Sequence, residues 1–443
     1  MKGAVSALKQ IQFERGTAGK IRVHVLPTEQ FKTFAISVYI GSPLKEETVT
    51  STALIPFVLR RGSRSYPETK QFRERLDDLY GAGFGFDIYK RGDYQMVQFR
   101  MDVIQDEFVA SSSSLLEQAI QFAGRRSRPR LWKAMSYAPS TWTRKRLRCK
   151  SASKRSSTIK SVMPPSGVSK RCARKSRTGF IRSGEFRIWT DSQTASLTER
   201  YRGWLEASPI DIYVVGNTTL QAVLPLIESS FQSGRGPAAD YSIRPERRQP
   251  AQVKEVVERL EVNQGKLNMG LRINTSYADE NYPAALMYNG ILGGYPHSKL
   301  FTNVREKASL AYYASSRLDG HKGILTIQSG IEIGNYEKAV NIIKEQLQAM
   351  EAGQINDTEL QQTKAMITGH LRELQDSAFE LIAFDFNNIL SGAERTVPAL
   401  IEEVEKVDTA RIQQMAEQVK LDTIYFLRDK KGKCKCRRSL ILM

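Results

Sequence analysis

An α+β fold of two homologous domains, each an antiparallel-rich sheet with helices packed on one face, is predicted by three observations. Segments of period-two apolar alternation stand at matching places in the two halves of the chain. Apolar helical patterns follow them, and five such elements recur in the same order about 227 to 233 residues apart. A stretch rich in Gly, Pro and charge, SGRGPAADYSIRPERRQP, lies between the copies. The predicted divisions are 1–232 for the first domain, 233–250 for a linker, 251–430 for the second domain and 431–443 for a basic tail.

Phe34, Ile36, Val38 and Ile40 alternate with Ala35, Ser37 and Tyr39, and Leu267, Met269, Leu271 and Ile273 alternate in the same way. Each run reads as a strand with one buried face. Polar loops, GSPLKEETVTS and NTSYADENYP, lead into the helical patterns ALIPFVLRRGS and ALMYNGILGGY. A second helix follows in each half. In the first half Ser65 can cap it, with Glu68 three residues on and Pro67 in the first turn, and Phe72, Leu76 and Leu79 form its apolar stripe. Alternating strands come next, carrying Val97, Phe99 and Met101 in one copy and Leu325, Ile327 and Ile331 in the other. Each copy then has a helix, around Leu115, Leu116 and Ile120 and around Ile342, Ile343 and Leu347. The second half continues into a long amphipathic helical region from Asp357 to Phe386. Near the ends, TASLTERYRGWLEASPIDIYVVGN parallels DTARIQQMAEQVKLDTIYFLRDK.

The chain has 443 residues, 41% hydrophobic and 26% charged, a globular composition. The run LIPFVL is too short to cross a bilayer, and the N-terminus does not read as a secretory signal. Four cysteines without C-x-x-C spacing point to reduced thiols in a cytoplasm. The formal net charge of +19 would ordinarily suggest a nucleic-acid or anionic-membrane partner. Its distribution argues otherwise. The 60 residues from Arg125 to Gly184 hold 19 Lys plus Arg and no Asp or Glu. The remainder carries 47 basic and 47 acidic residues and is neutral.

That block stands where the repeat calls for the counterpart of the helical region from Asp357 to Phe386. It lacks apolar periodicity, is rich in Ser and contains Pro164-Pro165. We read it as translation in a shifted frame over about 125–193. Trp and Met have single codons, so joining the third base of one codon to the first two of the next forces some residues. Trp132-Lys133 becomes Glu, Trp142-Thr143 and Trp189-Thr190 become Asp, and Met163-Pro164 becomes Ala. One admissible decoding of the whole block is charge-balanced, amphipathic and helix-forming. The alternative is a basic insertion that binds nucleic acid or acidic lipid.

The segment ILGGYPHSKLFTNVREKASLAYYASS, between two strands, resembles the C-terminal half of the insulinase/pitrilysin family of zinc peptidases, in its two-domain, processing-peptidase-like branch. The resemblance covers nearly the whole chain outside the basic block, duplication included. Active members carry H-x-x-E-H on the first apolar helix, where two His bind zinc and the Glu serves as general base. Counted back from Gly62, the corresponding residues are Ala53, Pro56 and Phe57, and none can bind a metal or move a proton. The chain's four histidines, His24, His297, His321 and His370, lack a second His or a Glu at that spacing. His24 and His370 suit packing or surface roles, whereas His297 and His321 stand in turns where a ligand could reach them.

The resemblance further implies that Arg305 and Tyr312 form a substrate-binding pair, the Arg holding a carbonyl and the Tyr stabilising an oxyanion. Spacing alone also fits an exposed Arg and a core Tyr, and Arg73 and Tyr80 share it. Gly293 and Gly294 resemble the family's glycine-bearing turn beside the substrate cavity, though a plain helix-ending turn fits them equally. The implied role is a non-catalytic subunit with no cofactor of its own. Its implied partners are a zinc-bearing homologous subunit, forming a heterodimer, and an extended peptide or protein substrate, without membrane or nucleic acid. Within the branch, the pattern is similar to a bacterial member associated with 5-aminopentanol modification of elongation factor P. A non-proteolytic scaffold is the alternative reading; an autonomous zinc endopeptidase is disfavoured.

Overall fold

The structure, a computed structural model, describes residues 11–59, 68–127 except 112, and 201–430 except 202, 232–238, 242, 244–246 and 248. The segment read as frame-shifted lies outside the described residues apart from the last turn of one helix, and the basic tail lies wholly outside them. The first half contains β1 (Glu14–Ala18), β2 (Ile21–Pro27), β3 (Thr33–Pro43), α1 (Glu46–Leu59) and α2 (Thr69–Asp78). It continues with β4 (Gly83–Arg91), β5 (Tyr94–Ile104), α3 (Leu115–Ser127), β6 (Ile210–Gly216) and α4 (Leu220–Ser230). The second half contains β7 (Lys254–Leu260), β8 (Gly265–Arg272), α5 (Tyr282–Asn289), β9 (Ala311–Asp319), β10 (Ile324–Ile331) and α6 (Tyr336–Glu351). Four helices and a strand complete it: α7 (Asp357–Leu374), α8 (Ala378–Ser391), α9 (Val397–Glu405), α10 (Thr409–Gln418) and β11 (Lys420–Asp429).

The strand orders make the duplication explicit. The first sheet runs β1-β2-β6-β3-β5-β4 and the second β7-β11-β8-β10-β9, so the second repeats the first without β1. In each sheet one pair is parallel, β2 with β6 and β7 with β11, and the other pairs are antiparallel. The predicted alternation separates the two faces of each strand, but the expected single buried face does not hold: Phe34 to Ser42 of β3 and all of β8 are buried, because packed layers cover both faces. Ile36 and Val38 face the helices of their own half with Val97 and Met101, while Ala35 and Tyr39 face the other way.

Two local differences from the sequence reading have simple causes. Helix α1 begins at Glu46, ahead of the apolar run, because Glu46 and Glu47 complement the positive end of its dipole. Helix α2 starts at Thr69 with Glu68 as its cap, since Glu68 and Gln71 satisfy each other's backbone N–H groups in a capping box, and the expected cap Ser65 lies outside the described residues. The second half departs more. The segments Gly290–Gly294 and Phe301–Lys307 wind as π-helix, whereas α2, the counterpart of the second, is α-helical.

One core lies between the first sheet and its own helices, with Ile36, Phe72, Leu79, Leu115 and Ile120 at its centre. The other is shared by both halves. It joins Tyr39, Met96 and Tyr213 of the first sheet to Leu267, Met269 and Phe386 of the second half. Helix α8 carries this contact, stacking Phe386 on Tyr39 with ring centroids 3.8 Å apart. Tyr241 and Ile243, inside the predicted linker, also pack here. Tyr241 meets Tyr94 and Phe386 edge-on, with ring centroids 5.3 and 5.9 Å apart. The first sheet is thus covered on both faces, by its own helices on one and by the second half on the other.

Candidate functional site

The two residues singled out by the motif, Arg305 and Tyr312, come together on the segment that turns from α5 into the edge strand β9. Three backbone irregularities occupy that short stretch. The π-helical turn ends with Ala308 N–H donating to Asn303 O at 3.2 Å, and Leu310 N–H donates to Val304 O at 3.2 Å. Ser309 sits at φ 51°, a left-handed conformation costly for a residue with a Cβ. The β9–β10 register then jumps: Gly330 faces Tyr313 and Ile331 faces Ala311, so Tyr312 is the extra residue of a bulge. Asn303 ties the turn to α6 by donating from Nδ2 to Gln346 Oε1 at 2.7 Å.

The result is a pair of open side chains. Tyr312 is 67% exposed. Arg305 lies 4.4 Å from the centroid of the Phe301 ring and has no carboxylate partner among the described residues. Together with Glu306, Ser309, Leu310 and Glu332 they line an open cleft of about 570 Å³. The first-half pair with the same spacing differs. Tyr80 donates its hydroxyl to Ala110 O at 3.2 Å and is engaged, whereas the Tyr312 hydroxyl has no hydrogen bond among the described residues. Chemically, the cleft offers a guanidinium and a phenol at the free edge of a sheet, where β9 pairs only with β10 among the described strands.

Gly293 and Gly294 do not line this cleft. Gly293 is buried behind β9, and a Cβ on it would lie 2.6 Å from Ser316 N. Its lack of a side chain lets the π-helical turn press on the strand, where Ser316 Oγ donates to Asn289 Oδ1 at 2.9 Å. Gly294 is exposed at the end of the same turn.

Ala53, Pro56 and Phe57, the residues that the sequence reading set against the zinc motif, lie on α1. Ala53 and Pro56 are buried, and Phe57 meets Phe86 edge-on with ring centroids 5.0 Å apart. None carries a lone pair for a metal, so these residues do not fit zinc. Among the described residues no three His, Cys, Asp or Glu side chains gather as a set able to hold a metal ion. The histidines are dispersed. His297 stacks on Tyr295 and bonds Thr363 Oγ1 at 2.8 Å, its proton affinity lowered by burial. His321 bonds Asn387 Oδ1 at 3.1 Å, and burial likewise lowers its pKa, against the opposing pull of Asp319. His370 is exposed on α7.

His24 belongs to a polar row that sequence reasoning missed. Arg15, His24 and Tyr213 are successive cross-strand partners on β1, β2 and β6. Arg15 grips Asp385 of α8 with two hydrogen bonds of 2.7 and 3.0 Å, and Tyr213 donates its hydroxyl to Asp385 Oδ2 at 2.8 Å. Burial, then Asp385, pushes the Tyr213 phenol well above its usual pKa. Asp211 is buried, which by itself would raise its pKa, yet hydrogen bonds from Arg22 and His24 hold it below the usual carboxylate range. The available signal was alternation: Arg22 and His24 share one face of β2, opposite Asp211 and Tyr213 on β6, and Asp385 interrupts the apolar run of α8.

Among the described residues no helix is long and apolar enough to cross a membrane. The model of the peptidase M16 inactive domain matches residues 193–367. A Bacillus subtilis (strain 168) protein described as "Probable inactive metalloprotease YmfF" is 32% identical over 421 residues, covering 94% of this chain and 97% of its own length. A crystal structure of a conserved protein from Enterococcus faecalis V583 superposes with a TM-score of 0.85 at 28% identity, covering 95% of this chain and all of its own. The peptidase M16 inactive domain from Pseudomonas fluorescens superposes with a TM-score of 0.75 at 13% identity, over 95% of this chain and 99% of its own, and so shares the fold. The family match, the relative similar over nearly the whole chain and the repeated sheet lead to one conclusion: the chain belongs to the M16 (insulinase/pitrilysin) peptidase family, as an inactive homologue.

Proposed function

We propose that this chain is a non-catalytic subunit that pairs with a zinc-bearing homologue and presents a peptide to the partner's metal. The supporting observation is the open Arg305/Tyr312 pair on an irregular segment at the free edge of β9, in a chain whose zinc-motif positions are Ala53, Pro56 and Phe57. An extended peptide adds to the edge of β9 by backbone hydrogen bonds. Arg305 then holds a substrate carbonyl and the Tyr312 hydroxyl faces the developing oxyanion. Mixing the chain with a zinc-bearing homologue should give a stable heterodimer whose peptidase activity falls on Arg305→Ala and not on Arg73→Ala. Full activity of the homologue alone refutes this role.

The word "inactive" in the description of the Bacillus relative favours a second reading, a non-proteolytic scaffold whose cleft serves the modification of elongation factor P. On that reading, partner binding is indifferent to Tyr312→Phe. Both readings take the cytoplasm as the protein's compartment from its cysteine usage. They assign it no nucleic-acid partner, because the excess charge is confined to the block read as frame-shifted. Resequencing the gene tests that point: an unbroken frame in independent clones, with matching tryptic peptides from the cell, overturns it.

A further inference from the structure

His24 sits between a donor and an acceptor, and the hydrogen bonds of this arrangement fit one tautomer of its ring. It is 2% exposed and stacked on Tyr213, with ring centroids 4.4 Å apart. On one side its Nδ1 lies 2.8 Å from Nη1 of Arg15, and on the other its Nε2 lies 2.9 Å from Asp211 Oδ1. A guanidinium can only donate and a carboxylate can only accept. The ring is therefore the neutral tautomer, with a lone pair on Nδ1 facing Arg15 and a proton on Nε2 facing Asp211.

A second proton can enter only at Nδ1, where it would oppose an N–H of Arg15 and bring two cations together. The two sides of the ring differ in how easily they yield. Asp211 also accepts from Arg22 Nε at 2.7 Å, from Arg22 Nη2 at 2.9 Å and from the Tyr241 hydroxyl at 2.8 Å, so its carboxylate is held in place. The Arg15 side chain is 44% exposed and has a route to solvent. It is also the residue that grips Asp385 of α8, across the boundary between the halves.

We propose that protonation of His24 at Nδ1 releases Arg15 from both His24 and Asp385, making this row a proton-gated latch between the first sheet and α8. The charged and titratable groups facing His24 are Arg15 from β1, Arg22 from its own strand and Asp211 and Tyr213 from β6. Beyond them stand Tyr241 from the segment between the halves and Asp385 from α8. On its other flank α8 touches His321 through Asn387, a separate titratable contact. The inference concerns the joint between halves and stands whether or not the cleft binds peptide.

Hydrogen exchange on the intact chain tests it, with protection factors followed from about pH 7.5 to about pH 5.5, the range in which histidine side chains exchange protons. Protection of the α8 amides should fall by up to about tenfold per pH unit, the limit for one linked proton, while the α10 amides hold steady. His24→Asn places a non-titrating acceptor where Nδ1 was, so its α8 protection should be flat with pH. Arg15→Met removes the latch, so its α8 protection should be low and equally flat, which serves if His24→Asn does not fold. His321→Gln should keep the pH dependence of the parent chain. A flat parent profile, a parallel loss in α10, or an undiminished slope in both His24→Asn and Arg15→Met overturns the proposal.

Discussion

Phe386→Ala should weaken the first half of the molecule although the residue belongs to the second. Phe386 is 2% exposed, stacked on Tyr39 at 3.8 Å and edge-on to Tyr213 at 6.2 Å, so its ring fills the core that the halves share. Truncating a buried Phe costs about 3–5 kcal/mol through lost transfer energy and the cavity left behind. Within that sum the aromatic pairing contributes about 0.5–1.5 kcal/mol. Against a typical stability of about 5–15 kcal/mol the loss is severe, and in a chain of this length it should lower the melting temperature by roughly 3–5 °C. The decisive measurement is where protection is lost in hydrogen exchange. If the core is shared, amides of β3 and β6 lose protection along with those of α8. A double-mutant cycle with Tyr39→Ala should give a coupling of about 0.5–1.5 kcal/mol. Unchanged β3 amides, or additivity within about 0.3 kcal/mol, would refute the argument that the halves stand on one core.

Other expectations follow from single sites. Gly293→Ala drives a Cβ to 2.6 Å from Ser316 N and should cost about 1–3 kcal/mol in urea unfolding. Gly369→Ala, in the interior of α7 with open space around the new methyl, should instead stabilise by about 0.5–1 kcal/mol in the same assay. Because the folded-state pKa of Asp211 is depressed, its contribution to stability is full above the unfolded value of about 3.9 and is lost as pH falls through the lower folded one. Asp211→Asn should therefore flatten the acid limb of a urea-midpoint profile. At neutral pH it should cost about 3–5 kcal/mol, since it breaks the buried ion pair and leaves Arg22 only the exposed Asp240. Zinc in slight excess should leave the melting temperature unchanged, whereas a site filled at a hundred times its dissociation constant would add about 2.7 kcal/mol.

How much was legible beforehand varies with the range of the interaction that decides each feature. Strands β3 and β8 were readable because period-two alternation is a property of neighbouring residues, but that both faces of each are buried was not, because the second cover comes from distant parts of the chain. That Ala53, Pro56 and Phe57 offer no side-chain ligand to a metal was readable because these side chains lack lone pairs in any fold. The Arg305/Tyr312 spacing was visible, but Arg73 and Tyr80 share it. Only the structure separates the two pairs, by an engaged Tyr80 hydroxyl and an open one on Tyr312. The π-helical turns, the left-handed Ser309 and the bulge at Tyr312 left no periodic trace, because packing of the α5–β9 connection against α6 and β10 sets them.

What the amino-acid sequence determined by itself is the repeated α+β unit, the lack of metal-ligating side chains at Ala53, Pro56 and Phe57, and the confinement of the excess charge to one block. Those properties depend on local patterning and on the chemistry of single side chains. The tertiary structure alone decided that α8 covers the sheet of the other half and that Asp385 meets Arg15, 370 residues away along the chain. It also decided that His24 is caught between a guanidinium and a carboxylate. No local pattern encodes such contacts, because they exist only once two separately formed sheets are set against each other at one angle and one register.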